Sequence, residues 1–322
     1  MLRRLTARAH VIWAYTALVS ALRARRPRVI VLRYHALGRP EDVASYASAG
    51  ISLAPDRFDA QIAFLARRYD IIDLDAAWER VRNGVKSARP GVVITFDDGY
   101  RDNFDHALPI LRKHGATGTF YVVAGSVWPA PPVWTARLRH VLAGAGAPEI
   151  GRACGLEIDG VGAVRLLTRR LRALPADERE RQLATLADRL GRDQALPHRV
   201  MMDERELVAM ADGGMTIGAH TLTHPLLPEV SEAEARHELV AGRSRLEKIV
   251  GRAVTHVSYP NPGAGPQHNA AVRAAARDAG YVTGTTSTGG ILAPGCDPLA
   301  LPRVGVTPGF QERLLFRLLG EG

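Results

Sequence analysis

Short β-prone apolar runs alternate with amphipathic stretches of helical period along most of this 322-residue chain, and no other feature constrains its fold as tightly. Val29–Tyr34 reads as a strand, and Pro55–Arg68 as a helix with Phe58, Ile62 and Phe64-Leu65 on its inner side. Asp70–Leu74 reads as a short strand and Asp75–Asn83 as a helix. The series continues with a strand over Gly91–Phe96, a helix over Asn103–His114 stopped at Gly115, and a strand over Gly118–Ala124. Further on, helices over Asp203–Ala211, Ser231–Val250 and Asn269–Ala279 alternate with strands over Val254–Tyr259 and Val282–Thr286. Such alternation predicts an α/β fold, parallel strands joined by helical crossovers. Residues 126–200 interrupt the rhythm: they open on Trp128, five residues with three prolines and Trp134, and continue through Arg-rich helical stretches to about Leu190. They read as a helical insertion.

In parallel α/β sheets, functional side chains gather at the C-terminal ends of the strands, and two motifs sit there. The apolar run Val92-Val93-Ile94 leads into Thr95-Phe96-Asp97-Asp98-Gly99-Tyr100. Successive strand side chains point to opposite faces, so the two carboxylates separate unless a turn at Gly99 redirects one of them. Like charges brought together call for a cation or a proton. Taken alone, the tripeptide reads equally as an exposed turn. The second motif is an apolar segment from Met215 that runs into His220-Thr221-Leu222-Thr223-His224-Pro225. Histidines at i and i+4 share one face of a helical turn and suit one metal ion. Pro225 biases His224 away from continued helix, so the pair is expected on a loop or single turn. By itself that pair reads as readily as two surface histidines. Beside Asp97-Asp98, metal binding is the stronger reading.

These residues, followed by Ser258-Tyr259-Pro260, resemble the polysaccharide deacetylase family (the NodB-homology domain, carbohydrate esterase family 4) in motif, order and approximate spacing. The resemblance spans nearly the whole chain from β-run Val29–Tyr34 onward. It implies a distorted (β/α) barrel of about seven parallel strands, fewer than the usual eight, with the insertion as a lid or rim. It also implies hydrolysis of an N-acetyl group on an amino sugar of a polysaccharide or lipid-linked glycan. On that footing Asp98, His220 and His224 hold one divalent metal, with Zn2+ the default and Co2+, Ni2+ or Fe2+ suited to the same donors. Asp97 is the general base, and a backbone N–H of Gly99 or Tyr100 is a candidate oxyanion donor.

The departing amine needs a proton, and many family members place the donor His in a late Leu-x-His motif. The corresponding stretch here, Leu299–Val304, has no His. The branch of poly-N-acetylglucosamine deacetylases draws it from an N-terminal Tyr-His instead, and the first strand here runs into Tyr34-His35. His35 is therefore the candidate acid, against a purely structural His at a strand end. Where family members often carry an Arg next to the Tyr-Pro pair, this chain has Ser258. Arg303 is a candidate to orient Asp97 by a bidentate ion pair, with an ordinary surface Arg as the alternative. Tyr259 and Pro260 are candidate substrate contacts in a groove wall. Trp128 and Trp134 either stack on sugar rings or anchor the insertion.

Nine arginines and no acidic residue fall in residues 1–40, and the remaining chain carries 33 of the 42 Lys and Arg against all 33 Asp and Glu. The net charge of +9 thus belongs to the N-terminal segment. This argues against a nucleic-acid face on the body of the protein, and predicts that residues 1–28 meet anionic lipid peripherally. The apolar run His10–Leu22 is shorter than the ~20 residues a membrane span needs, and the arginines directly after it disfavour a signal peptide. A membrane-surface helix with Trp13 and Tyr15 near the headgroups is expected, followed by a barrel over 29–310 and an amphipathic tail over 311–322. Cys154 and Cys296 show no metal-ligand spacing. The expected address is cytoplasmic or peripheral to an inner membrane, with export left open. A glycan-binding pseudoenzyme and a metal amidase for a small N-acyl compound are the alternative functions.

Overall fold

The computed structural model of the chain describes residues 28–85, 87–155, 160–261 and 265–312. Its frame is a parallel sheet of β1 (Val29–Tyr34), β2 (Asp70–Ile71), β3 (Gly91–Phe96), β4 (Thr119–Val122), β5 (Thr216–Ala219), β6 (His256–Ser258), β7 (Thr283–Thr285) and β8 (Val304–Gly305). Seven strands follow the order β8-β1-β3-β4-β5-β6-β7, and the short β2 joins the start of β3. The sheet curls into a half-barrel, and its two ends approach through a single parallel bridge between Thr285 and Leu301. This is the distorted barrel of seven strands expected from the sequence.

Both faces of the sheet are buried, which explains why β1 and β3 read as continuous apolar runs rather than alternating ones. From β1, Val29 and Val31 pack with Val93, Tyr121 and Leu301, while Ile30, Leu32 and Tyr34 meet the surrounding helices. Those helices are α1 (Pro55–Arg68), α2 (Leu74–Arg82), α3 (Leu108–Lys113), α4 (Trp134–Leu142), α5 (Ala147–Cys154), α6 (Gly160–Arg172), α7 (Ala176–Arg189), α8 (Glu204–Asp212), α9 (Glu232–Val250) and α10 (Ala270–Asp278). Asp203, Ser231 and Asn269, at the expected starts of α8, α9 and α10, are their capping residues. Each side chain accepts a hydrogen bond from a first-turn N–H that has no partner inside the helix.

Three expectations change in detail. Phe64 is only half-buried, beneath Arg68, whose guanidinium carbon lies 4.5 Å from the ring centroid. The helix expected over Asn103–His114 opens as a π turn, Asn103–Ala107, before α3 begins. Pro109 has no N–H to return to Asp105, and the Leu108 N–H reaches back to the Asn103 carbonyl instead. The later strands are shorter than their apolar runs, because residues such as Val123 and Ala124 hydrogen-bond to the loops at Asp98 and Thr221.

The insertion forms α4 to α7. Trp134, Leu138, Val141, Ile150, Leu171 and Leu183 share one apolar cluster with Tyr46, Tyr100 and Val123. The insertion is therefore seated on the loops at the C-terminal ends of the strands. The membrane-surface helix expected over residues 1–28 and the tail over 311–322 lie outside the described residues, save for residues 28, 311 and 312. No described helix is long and apolar enough to cross a membrane.

Gly242 lies within α9, where a glycine costs about 1 kcal/mol relative to Ala. A Cβ there would meet the Thr221 carbonyl carbon at 2.9 Å and the Leu222 nitrogen at 3.1 Å. The glycine lets the helix lie directly against the loop after β5. Helix propensity alone makes Gly242→Ala stabilising, whereas this packing predicts a loss of ~1–3 kcal/mol. Thermal unfolding of the variant should show a Tm lowered by several degrees, and a raised Tm would mean that the loop gives way freely.

Candidate metal centre and catalytic cleft

Beyond Phe96 the chain leaves the sheet, although the Asp97 N–H still bonds the Tyr34 carbonyl at 3.0 Å. Asp98 then takes φ +77° and Gly99 φ +84°. A non-glycine residue with positive φ is uncommon and costs on the order of 1 kcal/mol or more. Here it turns both carboxylates into one cleft. At Gly99 a Cβ would lie 2.9 Å from a Val122 methyl, so the turn fits tightly against the end of β4. The other non-glycine residues of positive φ among those described are Thr221 and His224, at +66° and +64°. All three belong to the two motif loops.

Those loops bring Asp98, His220 and His224 together, with their candidate ligand atoms all within 4.8 Å of one another. Asp98 Oδ1 is 3.6 Å from His220 Nε2 and 3.5 Å from His224 Nε2. Bonds of about 2.1 Å in tetrahedral geometry place ligand atoms roughly 3.4 Å apart, so the spacing fits a shared ion. The chemistry of the donors fits as well. His220 Nδ1 lies 2.7 Å from the Ser258 carbonyl, an acceptor only, which puts the proton on Nδ1 and leaves the Nε2 lone pair facing Asp98. Burial, then His220 and Arg172, lower the His224 pKa well below its ordinary value, which keeps that ring in the neutral form a metal needs. Two imidazoles and one carboxylate leave further coordination positions open.

The loop carrying the histidines is held by residues that carried no local sequence signal. Glu238, buried in α9, accepts from the Leu222 and Thr223 N–H groups at 2.8 and 2.7 Å and from the Thr223 hydroxyl. Arg179, buried in α7, donates to the Thr223 carbonyl at 3.0 Å and to its hydroxyl oxygen at 2.7 Å. The Trp134 indole N–H donates to the His224 carbonyl at 2.9 Å. Thr221 Oγ1 accepts from the His224 N–H at 2.9 Å. In sequence, Glu238 looks like one more charge on a charged helix, and Arg179 like one more Arg in the insertion.

Arg303 is completely buried, which removes the surface alternative. Its Nη1 and Nη2 reach Asp97 Oδ1 and Oδ2 at 2.7 and 2.8 Å, its Nη2 also donates to Ser258 Oγ at 2.8 Å, and its Nε to the Thr286 carbonyl at 2.9 Å. Ser258 is small enough to admit this guanidinium and polar enough to accept from it. Burial alone would push the Asp97 carboxyl up, but Arg303, with His220 and His35, outweighs it and holds the pKa below the usual carboxylate range. His35 Nε2 lies 3.9 Å from Asp97 Oδ2. The His35 carbonyl accepts from Asn103 Nδ2 at 2.8 Å, so the π turn helps to position it. Burial lowers the His35 pKa to about 4, against the opposing pull of Asp98 and Asp97, and the ring is neutral at rest.

His35, Asp97, Asp98, Tyr100, His220 and His224 line one cleft of about 580 Å³. The insertion supplies the facing wall through Thr135, Leu138, Arg139, Leu142 and Arg172. Burial, with Asp98 beside it, raises the Tyr100 hydroxyl well above its ordinary pKa. Neither the Gly99 nor the Tyr100 N–H donates to another described residue. The expected groove-wall residues Tyr259 and Pro260 are corrected: both are buried away from the cleft, and the Tyr259 hydroxyl is tied to the Leu299 carbonyl at 3.0 Å. Asn261, next in the chain, lines the cleft instead. Of the two tryptophans, Trp134 is a buried anchor, and Trp128 is exposed outside the cleft lining.

Residues 84–142 and 188–284 match the family described as polysaccharide deacetylase. A protein of Bacillus subtilis (strain 168), the putative polysaccharide deacetylase YxkH, is 22% identical over 226 residues, 70% of this chain. The match covers 55% of that protein, so the chain spans about half the length of the curated relative. Streptococcus pyogenes deacetylase PplD, solved in complex with acetate, superimposes with a TM-score of 0.62 at 20% identity, over 91% of this chain and 99% of that one. IcaB from Ammonifex degensii gives a TM-score of 0.56 at 17% identity, over 88% and 93% of the two chains. At these identities the likeness is one of fold.

Arg303→Ala leaves Asp97 buried and unpaired, and should cost about 3–5 kcal/mol near neutral pH. The wild-type Asp97 pKa is depressed, so its contribution is full above about pH 4 and lost only below that. Without Arg303, burial raises the same pKa, and the contribution is lost as pH rises. The deficit should therefore be larger at pH 7.5 than at pH 4.5 in urea unfolding of the metal-free proteins. A deficit independent of pH would refute this account of Asp97.

Proposed function

Because the chain belongs to the polysaccharide deacetylase family, we propose that it is a metal-dependent hydrolase that removes N-acetyl groups from amino sugars of a polysaccharide or lipid-linked glycan. The observation that carries the proposal is the buried Asp98–His220–His224 trio beside an arginine-held Asp97 in one cleft. Zn2+ is the ion best suited to this donor set at four-coordination. Held there, a divalent cation supplies a nucleophile at neutral pH and polarises the amide carbonyl.

The chain's own groups do the rest. Asp97 stays charged and fixed in orientation under the grip of Arg303, and takes one proton from water as the oxygen attacks the acetyl carbon. The Gly99 and Tyr100 N–H groups, which have no other described partner, donate to the oxygen that gains charge. When the C–N bond breaks, the amine takes up one proton and acetate leaves. His35 is neutral at rest, so it must gain that proton within the cycle. Asp97, 3.9 Å away, is placed to pass it on. The arginine-rich residues 1–28 suit a protein held peripherally at an anionic membrane, where a lipid-linked glycan would be met.

Purified protein should bind one Zn2+ and release acetate from N-acetylated sugars, and Asp98→Ala should lose both. His35→Ala should retain the metal and lower kcat by about 100-fold or more. A loss under tenfold would transfer the acid role to Asp97. Metal binding without acetate release from any N-acetyl compound would instead favour a glycan-binding pseudoenzyme.

A further inference from the structure

The arginines of the insertion and its exit that are not freely exposed fall into two kinds. Arg137 grips Glu180 with two hydrogen bonds of 2.8 and 2.6 Å, Arg179 holds Thr223, Arg192 donates to the Ala143 carbonyl, and Arg199 pairs with Asp203 and Glu206. Arg139 in α4 and Arg172 at the end of α6 are half-buried, yet neither side chain makes an ion pair or hydrogen bond among the described residues. These two are the ones that line the cleft with Asp97, Asp98 and the histidines. Arg172 Nε is buried without a partner. The Arg172 carbonyl accepts from the Leu226 N–H at 3.1 Å, which fixes this residue beside the chain just past His224.

Among the described residues, no acid other than Asp97 and Asp98 lines the cleft. Asp97 is matched by Arg303, and Asp98 belongs to the metal trio. The two arginines therefore line the substrate space with no carboxylate in hydrogen-bond reach, and the acids that act on Arg172, Asp98 and Glu229, do so only at a distance. Sheltered cations of this kind are costly unless paired. A neutral N-acetylhexosamine chain brings hydroxyl and carbonyl acceptors but no counter-charge, whereas an oxyanion brings charge-assisted, bidentate hydrogen bonds.

We infer that the substrate is an anionic amino sugar, an N-acetylated hexosamine unit with a phosphate or carboxylate near the scissile amide, whose oxyanion is bound by Arg139 and Arg172. This rests on the deacetylase proposal and adds the substrate class. Both arginines belong to the insertion, and Arg172 lies in residues 143–187, between the two stretches that match the family, so that half of the subsite falls outside that match.

The test uses the full-length Zn2+-loaded protein and three substrates: a neutral N-acetylglucosamine tetramer, N-acetylglucosamine 1-phosphate, and a disaccharide of glucuronic acid and N-acetylglucosamine. At low salt, kcat/KM for one anionic substrate should exceed that for the neutral tetramer by about tenfold or more, from the strength of a charged hydrogen bond. The two anionic arms tell phosphate from carboxylate. Added salt should shrink the preference. Arg139→Gln and Arg172→Gln should each collapse the anionic-to-neutral ratio, chiefly through KM, and Arg152→Gln, exposed on the same insertion, should leave it in place. A ratio near one, or a preference that survives both cleft variants, overturns the inference while leaving the deacetylase intact. Calorimetric titration of Asp98→Ala with the two anionic sugars separates the other case. Binding that is lost on adding Arg172→Gln supports the subsite even if no substrate is deacetylated, and absence of binding overturns it.

Discussion

Asp97 and Asp98 are adjacent, buried and turned into one cleft, and each needs a cation of its own. Arg303 answers for Asp97 with two hydrogen bonds from outside the motif, and the imidazole pair makes a place for a metal beside Asp98. Much of the surrounding structure serves this arrangement. Ser258 is polar and small, so it accepts from Arg303 on one side while its carbonyl orients His220 on the other. One residue of β6 thus joins Asp97 and the histidine pair.

The backbone at the site is strained, and the strain needs support. Asp98, Thr221 and His224 hold left-handed conformations that would relax if their loops were free. The turn at Asp98 is closed against Val122. The histidine loop is clamped by Glu238 from α9, by Arg179 and Trp134 from the insertion, and by the close approach of α9 at Gly242. These contacts fix ring positions that the histidine spacing alone leaves undetermined.

The insertion is consequently part of the site rather than a cover laid over it. Trp134 and Arg179 anchor the histidine loop, and α4 and α6 supply the wall of the cleft that holds Asp97 and His35. The aromatic residues that look suited to sugars are used elsewhere. Trp134 is consumed in anchoring His224, and Tyr259 in bonding Leu299 within the core. The insertion brings to the cleft an apolar stretch around Leu138 and Leu142 together with two unpaired arginines, opposite Tyr46, Tyr100 and Asn261, a chemistry set by helices that the family match passes over in part.

The parallel strands with helical crossovers, the strand-end placement of Asp97-Asp98 and of His220 and His224, and the capping starts of α8, α9 and α10 follow from local periodicity and turn chemistry, so the chain alone determined them, whereas the barrel came from the family resemblance. His35 was legible only through its place after Tyr34 at a strand end, which gives position and not contact. The partners of those residues were decided by tertiary structure. Arg303, Glu238 and Arg179 act across separations of more than a dozen residues, where no pattern along the chain records which charge meets which. The same holds for Tyr259 and Trp134, since an aromatic ring is equally at home in a core and against a sugar, and only the packing around it selects between the two. Arg139 and Arg172 resemble every other Arg of the insertion until the fold gives their neighbours partners and leaves these two facing the cleft.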